Sequence, residues 1–210
     1  MVKNATIALY KKQYVDIQFE RAGLFKLIRE KYGATEVLYP GSSVHITPSF
    51  YFPHVVYVDS SPTAVDFFAN ETAVLAYINR KKTYKRSAYI RFIAQNYAED
   101  LPEPEASFDL LLALFAPNVV PTCQKHLKKD GILVTNNFQD EALVAAATPT
   151  LTPISMVQYQ KKAYALVEDT PEKWLNAANA GKTKRYLQQA SAGYEYVEAE
   201  QYFLFKKQAN

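Results

Sequence analysis

The sequence predicts an α/β fold built on a doubly wound sheet in which most strands are parallel. The first observation is that five short apolar segments alternate with segments of helical periodicity. These apolar segments are residues 37–39, 55–58, 88–94, 109–115 and 131–136. The second observation is that residues 55–58 form an unbroken apolar run, which is typical of a strand covered on both faces. Strand–helix–strand units of this kind join parallel strands through right-handed crossovers.

The composition indicates a globular protein without a disulfide framework. A chain of 210 residues, of which 49% are hydrophobic, can bury one sizeable core. Its single cysteine, Cys123, excludes an internal disulfide and fits the apolar pattern of a packing residue. The longest strongly apolar run, from Leu110 to Pro117, is too short to cross a bilayer, and the first residues lack the apolar core of a secretory signal. We therefore expect a cytoplasmic protein without a membrane partner.

Local signals place the helices between the strands. Apolar spacing predicts one helix from Lys12 to Lys31, which ends before the stop signal Gly33. A second helical segment begins with Ser61 as its cap and Pro62 as its first residue, and divides near residues 70–72. Further helices are predicted over residues 119–128 and 139–147. His126, within the first of these, is expected on the surface.

The last third of the chain has a different pattern. Residues 154–160 and 163–167 alternate apolar and polar side chains around two lysines, which predicts a hairpin. Cap logic predicts a helix that begins at residues 170–172 and runs past Trp174 and Leu187, with an interruption near Gly181. A last strand covers residues 201–206. We expect one domain over residues 1–210.

Two groups of residues at strand ends have the character of a ligand site. Gly41 and Ser42 lie in a turn directly after the first strand, where a glycine lets a ligand approach the backbone. Asp59 directly follows the second strand, where a carboxylate can accept hydrogen bonds from a ribose diol. Two other interpretations stay open: Gly41 as an ordinary turn glycine, and Asp59 as a helix-capping acid.

At these residues the chain resembles the class I S-adenosylmethionine-dependent methyltransferases. The first motif of that family, acid-x-Gly-x-Gly-x-Gly, falls on residues 39–45, where Gly41 matches the first glycine. Tyr39 stands in the place of the acid, and Ser43 and His45 replace the second and third glycines. Asp59 occupies the place of the ribose-binding acid. Phe108-Asp109 and the turn at Asp130-Gly131 resemble the family's entries into its fourth and fifth strands.

The resemblance implies a Rossmann-like, seven-stranded sheet with an antiparallel carboxy-terminal edge and S-adenosylmethionine as the cofactor. Residues 154–160 and 201–206 would form that edge, with an insertion at about 161–199. The turn would face the methionine portion, and Asn96 and Tyr97 would contact the adenine. The predicted cofactor-binding residues are Tyr39, Gly41, Ser42, Ser43, Asp59, Ser60, Asn96, Tyr97 and Phe115. His45 is the candidate catalytic base, because it is the histidine nearest to this cleft.

Other site chemistries find less support. The three histidines are not spaced as a metal-ligand set, so no metal is predicted. Residues 114–117 read Leu-Phe-Ala-Pro after the fourth strand, instead of the Asn/Asp-Pro-Pro-aromatic sequence of amino-group methyltransferases that act on nucleic-acid bases. The basic run from Arg80 to Arg86 is interpreted as a solvated helix end and loop, because the net charge is only +3. Nucleic-acid contact is the alternative that this run leaves open.

Two functions from different classes are therefore carried forward. The first is a methyltransferase that acts on an unidentified acceptor, in which positioning and desolvation supply most of the rate acceleration. The second is a catalytically inactive relative that serves as a binding or regulatory module, because Ser43 and His45 carry side chains where the family has glycines. A nicotinamide-dependent oxidoreductase is disfavoured, since its phosphate-binding turn needs those same glycines.

Overall fold

The structure, a computed structural model, describes residues 5–160, 163–167, 173, 187–190, 193–196 and 200–208. The strands are β1 (Glu36–Pro40), β2 (His54–Val58), β3 (Tyr89–Ile93), β4 (Phe108–Ala113), β5 (Leu127–Thr135), β6 (Leu151–Gln160), β7 (Ala163–Val167), β8 (Leu187–Ala190), β9 (Gly193–Tyr196) and β10 (Glu200–Lys207). The α-helices are α1 (Ala5–Tyr10), α2 (Ala22–Tyr32), α3 (Pro62–Ala69), α4 (Glu71–Lys81), α5 (Val119–Cys123) and α6 (Glu141–Ala147).

One sheet with the strand order β3-β2-β1-β4-β5-β10-β6-β7 organises the fold. Strands β1 to β5 are mutually parallel, and β10 runs antiparallel between β5 and β6. The predicted fold class is confirmed, including the antiparallel carboxy-terminal edge. The sheet has eight strands because β7 pairs with β6 in the predicted hairpin. The helix predicted from residue 170 past Leu187 is wrong at its later end, because Leu187 begins strand β8, and residues 174–186 lie outside the described residues. The insertion at 161–199 stays a prediction.

Helices cover both faces of the sheet, as the continuous apolar strands require. Successive residues of β1 point to opposite faces: Val37 belongs to the hydrophobic cluster under α1 to α4, and Leu38 to the cluster under α5 and α6. Strand β2 repeats this alternation with Val55 and Val56. Burying both faces places the carboxyl ends of β1 and β2 at one rim, where their loops can form a site.

The amino-terminal region differs from the single predicted helix. Helix α1 continues into a π-helical segment, Lys11–Val15, and the chain then turns before α2 begins at Ala22. The helical path is interrupted at Gln18 (φ 55°) and again at Arg21 (φ 54°), both in left-handed conformations. The Nε of Arg21 donates a 2.6 Å hydrogen bond to the Tyr202 hydroxyl. Helix α2 ends at Gly33 (φ 68°), as predicted.

Other helix signals are confirmed in part. The Ser61 hydroxyl accepts a hydrogen bond from the Ala64 N–H, Pro62 is the first residue of α3, and the break before α4 falls at Asn70. The helix predicted over 119–128 is an α-helix to Cys123 and a 3₁₀ turn over Gln124–His126. It is wrong at its last two residues, because Leu127 already pairs with Phe108 in the sheet.

The surface prediction for His126 is also wrong. The side chain is buried in a short 3₁₀ turn, Gln124–His126, and its Nδ1 donates to the Pro104 carbonyl over 3.1 Å. Cys123 is a buried packing residue, and burial raises the pKa of its thiol to about 11. None of the helices among the described residues is long and apolar enough to span a membrane.

Asp109 explains the Phe-Asp pair at the start of β4. One carboxylate oxygen accepts hydrogen bonds from the backbone N–H groups of Thr35 and Glu36 and from the Thr35 hydroxyl. The other oxygen pairs with the Lys128 ammonium at 2.7 Å. Asp109 therefore ties the beginning of β1 to β4 and to β5, at the rim opposite the ligand-type residues.

Candidate functional site

The turn after β1 is held against the end of β2. The N–H groups of Gly41 and Ser42 both donate to the Val58 carbonyl, at 2.8 and 3.3 Å. Gly41 (φ 64°) and Ser43 (φ 47°) take left-handed conformations. This geometry is easy for glycine and costs energy for serine. The left-handed turn after β1 therefore favours glycine at position 41, where the first glycine of the family motif falls.

Close packing also requires Gly41. A Cβ atom at this position would lie 2.5 Å from the Cβ of Ala116 and 3.4 Å from the ring of Tyr97. The Tyr97 hydroxyl donates to the Pro117 carbonyl at 2.8 Å, which holds the ring in place. The space above Gly41 is therefore filled by the protein's own loop after β4, with Tyr97 beside it.

Asp59 is the centre of a small hydrogen-bond network at the tip of β2. One of its carboxylate oxygens accepts the Ser43 N–H at 2.8 Å, and the other accepts the Ser61 N–H, also at 2.8 Å. The acid thus links the turn after β1 to the start of α3. A carboxylate has about four acceptor positions, so each oxygen keeps one for a ligand hydroxyl.

Tyr39 and His45 form a buried pair behind the turn. The Tyr39 hydroxyl lies 3.0 Å from Nδ1 of His45, and Nε2 lies 3.1 Å from the Glu20 carbonyl oxygen. Because a carbonyl can only accept, Nε2 carries the proton and Nδ1 accepts from Tyr39. Burial, followed by the nearby Arg21 cation, lowers the pKa of His45 well below 6.5. Burial raises the pKa of Tyr39.

A cavity of about 950 Å³ opens beside the turn. Its inner wall contains six of the predicted site residues, namely Tyr39, Gly41, Ser42, Ser43, His45 and Phe115. Its outer wall is the amino-terminal segment, which contributes Leu9, Lys12, Gln13, Tyr14, Asp16, Ile17, Phe19 and Arg21. The volume is at the upper end of the range for small-molecule sites. The cavity is therefore large enough for a cofactor together with part of an acceptor.

Arg21 is the site residue that sequence reasoning missed. Its side chain is buried, with the guanidinium carbon 3.3 Å from the centre of the Phe19 ring and 4.5 Å from that of Phe115. It places a permanent cation in the cavity wall, since an arginine stays charged even when buried. The only sequence signal is a basic residue two positions after an aromatic one in a predicted helix, and this pattern is too common to single out Arg21.

Aromatic side chains make up much of the remaining wall. The Tyr14 ring stacks on His45 with ring centres 4.4 Å apart, and Phe19 packs against Phe115 at 5.6 Å. Burial raises the pKa of the Tyr14 hydroxyl, so it stays protonated at neutral pH. Such walls exclude water and offer flat faces to planar or cationic groups.

The other predicted site residues lie beside the cavity and do not line it. Asp59 is half-buried under the turn, and Ser60 is exposed next to it. Asn96 is exposed after β3, where its Oδ1 accepts the Ala98 N–H at 3.0 Å in a local turn. The structure thus brings the β1 turn and Phe115 together with the amino-terminal segment. It places the ribose and adenine candidates on the neighbouring surface.

Among the described residues, no group of three or more His, Cys, Asp or Glu side chains is arranged to hold a metal ion.

Comparison with known proteins identifies the fold. No family model and no curated protein matches the sequence. A methyltransferase from Geobacter sulfurreducens is similar in structure, with a TM-score of 0.52 at 9% identity over 100% of this chain and 91% of that one. The N-methyltransferase NodS from Bradyrhizobium japonicum, in complex with S-adenosyl-L-homocysteine, has a TM-score of 0.51 at 14% identity over 91% and 87%. The chain has the class I methyltransferase fold.

The same fold also occurs in a protein named for a different reaction. The [4+2]-cyclase SpnF matches with a TM-score of 0.51 at 12% identity, over 91% of this chain and 82% of that one. The class I methyltransferase fold therefore does not by itself determine the chemistry, which has to be argued from the site.

Proposed function

We propose that the protein binds S-adenosylmethionine at the carboxyl ends of β1 and β2 and transfers its methyl group to an acceptor in the cavity. The observation that carries this proposal is the position of the cavity, directly beside the turn at Gly41–Ser43. Ligands of open α/β sheets bind at this rim, outside the carboxyl ends of the strands.

The polar groups of the site match the polar parts of this cofactor. Asp59 keeps acceptor positions for the two ribose hydroxyls. The N–H groups of the turn are already bonded to Val58 and Asp59, so the methionine carboxylate needs another partner. The Arg21 guanidinium and the Ser42 hydroxyl, both in the cavity wall, are the groups that can bind it. Asn96 and Tyr97 would adjoin the adenine.

In this proposal the protein positions the acceptor against the cofactor and keeps water out of the cavity. When bound, the cofactor supplies an electrophilic methyl group on a sulfonium centre. Tyr14, Phe19 and Phe115 line the cavity that would receive the acceptor. Their faces keep water out and favour a cationic neighbour. Orienting the acceptor in line with the methyl group is a contribution that needs no catalytic acid or base.

Calorimetry with the full-length protein tests the proposal. S-Adenosylmethionine and S-adenosylhomocysteine should each bind with one site per chain, and each should displace the other. Absence of binding of either compound at millimolar concentration would overturn the proposed cofactor.

One observation favours the second candidate, a catalytically inactive binding module. The N–H groups of Gly41, Ser42 and Ser43 are all used inside the protein, and Tyr97 packs beside Gly41. A module that has lost the methionine subsite would bind adenosine as tightly as S-adenosylmethionine. A methyltransferase should bind adenosine at least tenfold more weakly, since one charge-assisted bond to the methionine carboxylate is worth about 1.5–3 kcal/mol.

A further inference from the structure

Six exposed cations lie on two neighbouring segments, one of which borders the cavity, and together they are here called the basic surface. Its members are Lys11, Lys12, Arg80, Lys81, Lys85 and Arg86. The first two belong to the π-helical segment after α1, and the others to the end of α4 and the loop that follows it. The basic run noted in the sequence is therefore only part of the positive surface.

Tyr77 joins the two halves of the basic surface. Its ring centre lies 5.9 Å from the Lys11 ammonium and 5.6 Å from the Arg80 guanidinium, so both cations pack against one aromatic side chain. Lys12, next to Lys11, lines the cavity. The positive charge thus runs from the loop after α4 to the opening of the candidate site.

The loop that carries Lys85 and Arg86 is fixed to the body of the protein. Both the N–H and the hydroxyl of Thr83 donate to the Phe50 carbonyl, at 2.8 and 3.1 Å. The Tyr84 hydroxyl donates to the Ser49 carbonyl at 2.8 Å. The Lys82 ammonium closes the loop on its own backbone by donating to the Arg86 carbonyl. A fixed loop presents its cations without a large ordering cost on binding.

The cations of the basic surface are not held in ion pairs. In the part of the chain that the structure describes, none of its six cations forms an ion pair. Elsewhere many cations are paired, as Lys125 is with Asp100, Lys128 with Asp109 and Lys206 with Asp130. Two carboxylates lie near these cations, because Asp16 lines the same cavity as Lys12 and Glu20 contributes to the raised pKa of Tyr77. Six cations less two carboxylates leave a local excess of four, compared with +3 for the whole chain.

We propose that the basic surface binds the phosphate backbone of a single-stranded nucleic acid and directs one of its nucleotides into the cavity. Phosphates spaced along a strand match cations spread along a fixed ridge. The cavity beside Lys12 has aromatic walls, including Tyr14 stacked on His45, which suit an unpaired base.

A membrane is the less suitable occupant. Amphipathic surfaces that lie in a lipid interface insert large apolar side chains into the acyl region next to their cations. The large hydrophobic side chains exposed in the described residues are Val65, Tyr89, Phe138 and Val144, and none belongs to the segments that form the basic surface. The unpaired cations therefore favour a dissolved polyanion over a lipid surface as the occupant of the basic surface.

The role of that nucleic acid as methyl acceptor rests on the proposed function, whereas its binding does not. Residues 114–117, which lack the Asn/Asp-Pro-Pro-aromatic sequence, direct the proposal to acceptors other than the exocyclic amino group of a base. The methyl acceptor would then be a ring atom of a base or a ribose hydroxyl.

The experiment is fluorescence anisotropy of a labelled 20-nucleotide single-stranded RNA, and of the DNA of the same sequence, titrated with the full chain at several salt concentrations. Six phosphate contacts predict a slope of log K against log salt of about −4, at roughly −0.7 per contact. The triple variant Lys81→Gln, Lys85→Gln, Arg86→Gln should reduce that slope by about 2 and weaken binding at least tenfold at low salt. Its affinity for S-adenosylmethionine should not change.

A matched control removes the same amount of charge from the opposite rim. The variant Lys26→Gln, Lys31→Gln, Lys129→Gln, whose three lysines are exposed, should bind RNA within about twofold of the wild type. Equal loss in both triple variants, or wild-type binding only to phosphatidylserine vesicles, would overturn the proposal. So would the absence of nucleic-acid binding by a protein that binds S-adenosylmethionine. RNA binding without any cofactor binding would support the basic surface and contradict the proposed function.

Discussion

The carboxylate of Asp59 accepts a 2.8 Å hydrogen bond from the backbone N–H of Ser43, and this bond joins the tip of β2 to the turn after β1. A second bond of the same length, from the Ser61 N–H, joins it to α3. Asp59 is therefore both a ligand candidate and a structural link between the two loops of the site. Its two roles can be separated by comparing substitutions that keep or remove the acceptor.

Replacement of Asp59 should weaken cofactor binding according to the acceptors that remain. Asp59→Ala should reduce S-adenosylmethionine affinity by about tenfold to a hundredfold, since a charge-assisted bond is worth about 1.5–3 kcal/mol. Asp59→Asn should lose less, because the amide oxygen can still accept one N–H. The control is Asp66→Ala on the exposed face of α3, which should bind as the wild type does in calorimetry. Equal affinity in Asp59→Ala and wild type would remove Asp59 from the site.

Gly41 gives a prediction about stability that does not depend on a ligand. Gly41→Ala should lower the free energy of unfolding by about 2–4 kcal/mol, because it forces a left-handed alanine and a Cβ contact of 2.5 Å with Ala116. The double variant Gly41→Ala, Ala116→Gly removes that contact and keeps the backbone strain. Urea denaturation should therefore find the double variant less destabilised than the sum of the two single variants. Strict additivity would show that the contact with Ala116 is not responsible.

The predictable parts of this fold are those that depend on local sequence. The apolar runs predicted all five parallel strands, and the signal was clearest for β1 and β2, which are buried on both faces after their first residue. Ser61 with Pro62 and Gly33 are caps that act within one helical turn, so the start of α3 and the end of α2 were predicted. The resemblance to the methyltransferases then predicted the antiparallel carboxy-terminal edge, which the alternation of strands and helices leaves open.

The parts that were missed depend on contacts between distant residues. The first predicted helix is interrupted at Gln18 and Arg21, and the Arg21 side chain is held by Tyr202, far along the chain. His126 is buried because the loop at Pro104 offers a carbonyl to its ring. The outer wall of the cavity is formed by Tyr14 and its neighbours, which have the periodicity of an ordinary amphipathic helix. No local signal distinguishes such residues from surface or packing residues.

Asp109 should make the protein sensitive to acid. Burial opposes ionisation of this carboxyl, but its bonds to Lys128, Thr35 and Glu36 outweigh burial and lower its pKa from 3.8 to about 2. Its stabilisation is therefore fully present above pH 3.8 and is lost as the pH falls towards 2. Asp109→Asn should be less stable by about 1–2 kcal/mol at pH 7, after allowance for solvent screening.

Urea denaturation of both proteins at pH 7, 5 and 2.5 checks this prediction. The difference in unfolding free energy should be the same at pH 7 and 5 and smaller at pH 2.5. Lys128→Met should lower the free energy of unfolding by part of the same amount, because it removes one of the bonds to the Asp109 carboxylate. A difference that stays constant down to pH 2.5 would contradict the assigned pKa direction.

The Tyr39–His45 pair determines whether the cavity contains a histidine base. Nε2 of His45 donates to the Glu20 carbonyl and Nδ1 accepts from the Tyr39 hydroxyl, so neither ring nitrogen has a free lone pair. Burial, together with the Arg21 cation, lowers the pKa of the ring well below 6.5. These contacts favour His45 as a neutral residue that positions Tyr39 and the turn.

Nitrogen NMR of the imidazole should therefore find Nε2 protonated and Nδ1 bare, with no titration of His45 between pH 5 and 8. The sign of the stability effect follows from the same shift. Below pH 6.5 the unfolded chain gains a proton at His45 that the folded protein does not, so stability falls by up to about 1.4 kcal/mol per pH unit. In His45→Gln that contribution to the pH dependence should disappear.

Tyr39→Phe tests whether the hydrogen bond from the Tyr39 hydroxyl, in addition to burial, keeps the pKa of His45 low. It frees the Nδ1 lone pair, so the pKa of His45 should rise and its Nδ1 signal should begin to move with pH. Tyr57→Phe is the control, because it also removes a buried hydroxyl, one that bonds the Ser49 hydroxyl at 2.6 Å, and leaves His45 with both partners. A wild-type His45 that titrates near neutral pH, or a His45 signal that responds equally to both variants, would show that the pair does not hold the ring neutral. His45 would then return as a candidate base for the methyl acceptor.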